Sequence, residues 1–151
     1  MKFSDFHHGQ TLEFGSYSVS EAEIVDFASR YDPQPFHVDK AAAAASRWRG
    51  LIASGFHTCG IAMRLVVDHV LTGSESVGSP GISSLKWLKP VRAGDTLHVR
   101  CEVLKAEPSE SGGTGVLVWN WQLLNQRSEI VMDLMVTSLF DLHADQRIVR
   151  A

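Results

Sequence analysis

The sequence predicts an α+β domain with one buried helix and a long antiparallel sheet, on three observations. Helical periodicity is confined to the first half of the chain, and strand-like alternation fills the second half. No helical pattern recurs between the strands, which argues against alternating βαβ units. At 151 residues the chain has the usual length of one domain, so a single unit over 1–151 is expected.

The elements follow in order. Thr11 to Val19 suits an opening strand, with Leu12, Phe14 and Tyr17 as its apolar residues. Ser20-Glu21-Ala22-Glu23 reads as a capping box, in which each end's side chain satisfies the other's backbone amide. The helix it opens carries Ile24, Phe27 and Ala28 on one face. It must stop near Tyr31, because Pro33 and Pro35 cannot continue it. Asp39 is a good N-cap for a short alanine-rich helix from Ala41 to Trp48. A longer helix is expected from Gly55 to Leu71, with Gly73 as its stop. It is apolar on most faces, the mark of a helix wrapped by other structure.

A loop is expected from Gly73 to Gly81, followed by four strands. Ile82 to Lys89 is the first. Thr96 to Leu104 alternates Leu97, Val99, Cys101 and Val103 with polar residues, the signature of a half-buried strand. Val116 to Leu124 alternates likewise, and Glu129 to Phe140 is nearly continuous β-former. Ser111 to Gly115 and Asn125 to Ser128 fit as hairpin turns. Trp119 and Trp121 are two apart and face the same way, which suits core packing or a dimer contact.

Composition excludes several classes. An apolar fraction of 44% and a charged fraction of 21% are those of ordinary globular proteins. A net charge of −3 gives no reason to expect nucleic acid as a partner. The longest apolar stretch is broken by Arg64, Asp68 and His69, so no membrane span is expected. The N-terminus has no apolar core of a secretory signal, and a cytoplasmic location is expected. Cys59 and Cys101 fit reduced, packed thiols. His7 and His8 stand beside no cysteine or carboxylate cluster, so no metal is expected.

The unusual stretch is Tyr31-Asp32-Pro33-Gln34-Pro35-Phe36-His37. Two prolines stiffen it, so an acid and an imidazole are held in preset orientation. His37 can exchange a proton near neutral pH, and Asp32 can orient a water. In isolation the same residues also suit a structural reading, with Asp32 capping a turn and His37 half-buried. A second region, Gly50 to Thr58, lies where a loop becomes the long helix. There the Gly55 amide suits a developing oxyanion, although an ordinary packed glycine fits equally. His57 reads as a site-lining residue or as a helix-start histidine bonded to backbone.

Asp32-Pro33-Gln34-Pro35-Phe36-His37 resembles the hydratase motif of the MaoC-like dehydratases and (R)-specific enoyl-CoA hydratases, usually Gly-Asp-x-Asn-Pro-x-His. Gly50 to Gly55 resembles the lead into that family's central helix, and Lys89 to Leu97 the strand–turn–strand after it. The resemblance implies a single hotdog fold, a long central helix wrapped by a curved antiparallel sheet. It implies Asp32 and His37 as the catalytic pair, the Gly55 amide as oxyanion donor, and Gln34, Ser54, Phe56 and His57 around the substrate. The reaction implied is hydration of a trans-2-enoyl thioester, on CoA or a carrier protein, to an (R)-3-hydroxyacyl thioester. No cofactor is implied. Homodimers are, with helix-start residues supplied across the interface. A hotdog thioesterase and a non-catalytic acyl-binding or heteromeric subunit are the alternatives. Tyr31 and Gln34 depart from the motif's glycine and asparagine.

Overall fold

The computed structural model describes residues 1–144. Strand β1 (Thr11–Ser18) leads to helix α1 (Glu21–Tyr31), the short helices α2 (Pro35–Val38) and α3 (Lys40–Ala45), and the long helix α4 (Gly55–Val66). Strands β2 (Ser76–Trp87), β3 (Thr96–Pro108), β4 (Thr114–Leu124) and β5 (Ile130–Asp141) complete an antiparallel sheet ordered β1-β3-β4-β5-β2.

The expected caps form. Ser20 Oγ accepts from the Glu23 amide while Glu23 reaches back to Ser20. Asp39 accepts from the Ala41 and Ala42 amides and starts α3. Pro33 and Pro35 end α1 at Tyr31, yet Pro35 also opens α2, where its missing N–H costs nothing. Helix α3 stops at Ala45 rather than Trp48, because the Ser46 amide and hydroxyl both turn back to the Ala43 carbonyl. After Val66 the long helix continues as a π-helical turn, Val67–Leu71.

One correction concerns residues 73–81, where a loop was expected and β2 begins at Ser76. Glycine and proline weaken strands, but β2 lies at the sheet edge. Its register against β5 slips between Gly78 and Gly81, so Pro80 falls within a bulge where no ladder N–H is required.

The alternating faces predicted for β3 and β4 meet α4. Ile61, Ala62, Leu65 and Val66 share one buried cluster with Val99, Cys101, Trp119, Trp121, Leu134 and Val136. Burying side chains of this size contributes about 2 kcal/mol each. The two tryptophans are core residues, packed edge to face at 5.1 Å, and Trp119 donates to Ser138 Oγ. Cys59 and Cys101 are unbridged, and burial pushes the Cys101 thiol up to about 12. The wrapping of α4 is incomplete, since Phe56 and Met63 face outward. No helix among the described residues is long and apolar enough to cross a membrane.

Gly15 has φ +86° where β1 slips register against β3, and a β-carbon there would lie 2.7 Å from Leu65 Cδ2. Gly15→Ala is therefore expected to destabilise the protein by about 2 kcal/mol, read as a lower urea midpoint. An unchanged midpoint would show that neither the bulge nor its contact with α4 constrains this position.

Candidate active site

Asp32 is the C-cap of α1, so the helix delivers its carboxylate to the loop before α2. One turn further, the buried His37 places Nε2 3.3 Å from Asp32 Oδ2. His37 Nδ1 lies 2.7 Å from the Ile52 carbonyl oxygen. A carbonyl only accepts, so Nδ1 carries a proton and Nε2 is the nitrogen presented to the acid. Ile52 precedes α4, and its carbonyl thus orients the imidazole from the second element of the site.

The start of α4 supplies the other half. Ser54 is the N-cap, but its hydroxyl does not cap the helix. It donates instead to Asp32 Oδ2 at 2.7 Å. The amides of the first helical turn are left without that cap, and the helix dipole favours negative charge beside them. Gln34 Nε2 donates to Asp32 Oδ1 at 2.7 Å, so the departure from asparagine leaves an amide on the carboxylate. Partial burial by itself would raise the Asp32 pKa. The hydrogen bonds from Gln34 and Ser54, with His37 nearby, outweigh it and hold the carboxyl below its ordinary value. Tyr31 needs no positive φ, because it is the last helical residue and, among the described non-glycine residues, only Arg49 and Ser128 have one.

These groups open on a pocket of about 380 Å³, lined in part by Asp32, Gln34, His37, Gly55 and Phe56. Ser54 lies behind the pocket, on Asp32, rather than in its lining. His57 is not brought to the pocket. It is buried towards α1, stacked on Phe27 at 4.9 Å, with Nε2 3.3 Å from Glu23 Oε1. Burial depresses its pKa against the opposing pull of Glu23. Neither sequence reading of His57 described this contact, because nothing local indicates which face of α4 meets α1. Within one chain the helix start already reaches the acid and the imidazole, through Ser54 and Ile52.

Sequence reasoning missed the opposite wall, Trp87, Leu88, Lys89 and Pro90, together with Trp48. Trp87 Nε1 donates to the Gly55 carbonyl at 2.9 Å. A β-carbon on Gly55 would stand 2.5 Å from the Trp87 ring. The glycine thus has a packing reason beyond oxyanion access: it lets an indole lie against the helix start. No local pattern marked Trp87 as part of the site, because only the packing of β2 against α4 brings its indole there. Among the described residues, no group of three or more His, Cys, Asp or Glu is placed to hold a metal.

Residues 4–117 match the family described as MaoC like domain. The chain belongs to that family. It is 32% identical to the uncharacterised protein YdeM of Bacillus subtilis strain 168, over 88% of this chain and 94% of that one. The structure resembles that of a MaoC-like dehydratase from Rhodospirillum rubrum, with TM-score 0.83 and 37% identity, covering 91% and 94% of the two chains. It also resembles an (R)-hydratase from Pseudomonas aeruginosa, with TM-score 0.71 and 24% identity over 92% and 84%. That last likeness speaks to fold alone. The hotdog fold implied by the motifs is therefore the fold of this MaoC-like chain.

In this MaoC-like site Ser54 is expected to set the acidity of Asp32. Ser54→Ala removes one of the donors that hold the carboxylate ionised, so the Asp32 pKa should rise, as followed by carbon NMR titration of the carboxyl. An unmoved titration would remove Ser54 from the site.

Proposed function

We propose that the protein hydrates trans-2-enoyl thioesters reversibly, giving (R)-3-hydroxyacyl thioesters. The observation that carries this reading is the Asp32–His37 pair beside an α4 start whose N-cap serine is turned away from the helix. A water held on the pocket side of the pair gives a hydrogen to Asp32 or to His37 Nε2. Its own lone pair is then directed at C3 of the enoyl chain. The O–H bond breaks towards the pair, the C3–O bond forms, and the pair returns the proton to C2. Negative charge that builds on the thioester oxygen meets the Gly55 amide and the positive end of α4.

Gln34, Trp87 and Phe56 shape the space around the acyl chain in this reading, and residues 1–151 act as one domain. A homodimer is part of the proposal. The edge strand β2 exposes Val77 and Ile82, and α4 exposes Phe56 and Met63, surfaces that a second copy would cover. Two unbridged thiols suit a reducing compartment such as the cytoplasm. Hydration is preferred over thioester hydrolysis because a water held by an acid and an imidazole, with the carbonyl on a helix start, serves addition at C3.

Asp32→Asn and His37→Ala should each lower kcat on crotonyl-CoA by at least ~100-fold, the scale of lost general acid–base help. KM should change far less. Turnover near that of the wild type in both variants would sink the assignment of this pair.

A further inference from the structure

The charged residues of the chain are not evenly matched. Of the lysines and arginines among the described residues, Lys2, Arg30, Lys40, Arg64, Lys89, Arg100, Lys105 and Arg127 each have a carboxylate within ion-pair distance. Arg47, Arg49 and Arg92 pair with no carboxylate side chain in that way, and all three gather at Trp48. Lys86, likewise unmatched, stands across the sheet from Asp133. Trp48 is itself a wall of the pocket that holds Asp32 and His37.

The loop that carries them is built, not slack. The Arg92 guanidinium donates to the Trp48 carbonyl at 2.6 Å. Arg47 lies over the Trp48 ring at 5.2 Å from its centre. Arg49 holds a left-handed backbone with φ +56°, a conformation that a β-carbon disfavours. The loop thus keeps two exposed arginines, Arg47 and Arg49, beside the pocket at some backbone strain. A chain of net charge −3 gives an anionic substrate no general attraction. An unneutralised guanidinium cluster at one side of the pocket supplies it locally.

We propose that Arg47 and Arg49, braced by Arg92 and Trp48, bind the phosphate groups of a CoA-type thioester. This rests on the hydration reading for the acyl end and adds which carrier bears the acyl group. Guanidinium forks match phosphate oxygens two at a time, and a cluster of this size suits a few phosphates on a small molecule. A carrier protein would instead need a broad basic face, and among the described residues every other lysine and arginine except Lys86 has a carboxylate within ion-pair distance.

The test compares the wild type with the double variant Arg47→Gln/Arg49→Gly. Glycine adopts the Arg49 backbone freely, so the fold is not put at risk there. Calorimetry with adenosine 3′,5′-bisphosphate needs no catalysis, and the variant should bind at least about tenfold more weakly. In parallel, the ratio of kcat/KM for crotonyl-CoA to that for crotonyl-N-acetylcysteamine, which lacks phosphate, should fall about tenfold. Equal bisphosphate binding in the two proteins, or none in the wild type, overturns the proposal. So does an unchanged ratio with both thioesters hydrated, or a wild-type preference for crotonyl on acyl-carrier protein. Weakened bisphosphate binding with neither thioester hydrated would support the phosphate site and sink the hydration reading instead.

Discussion

The hydrogen bond from the Ser54 hydroxyl to Asp32 joins the two halves of the site. Asp32 ends one helix and Ser54 begins another, far apart in the chain. A serine at this position ordinarily caps its own helix, and giving up such a cap costs about 1 kcal/mol. Here the hydroxyl is used on the acid, and the helix start keeps amides available to an oxygen. One contact therefore orients the carboxylate, favours its ionised form and leaves the α4 terminus open. The fold around it keeps α1 and α4 packed, with Phe27 against His57 and Ile24 in the same core as Ile61 and Leu65.

The imidazole is fixed by the same logic. The Ile52 carbonyl takes the Nδ1 proton, so the direction of His37 depends on the segment that leads into α4. Prolines at 33 and 35 stiffen the loop on the other side. Trp87 then closes the arrangement from the sheet, locked to the Gly55 carbonyl through its indole N–H. Helix end, helix start and edge strand thus converge on one small volume, although they are separated by tens of residues.

What was legible in the sequence was what local physics decides. The Ser20–Glu23 box, the Asp39 cap, the Pro33 stop and the period-two alternation of β3 and β4 each follow from neighbouring residues, and each formed. Asp32, His37 and Gly55 were legible through spacing and likeness, and they line one pocket. The early start of β2 was not legible, because Gly78, Pro80 and Gly81 read as a loop unless the strand is known to lie at an edge. Nor were Trp87, Trp48 and the partner of His57, because tertiary packing alone brings them to α4 or turns them from it. The role of Gly55 was only half legible, since its missing side chain is filled by an indole.

The most direct measurement is incubation of the protein with crotonyl-CoA in oxygen-18 water, following enoyl absorbance, free thiol and product configuration together. The expected result is loss of the conjugated band with no thiol released and one heavy oxygen on C3 of an (R)-3-hydroxybutyryl-CoA. Thiol release, heavy oxygen in a free carboxylate, or the (S) product would contradict the role assigned to Asp32 and His37 beside the start of α4.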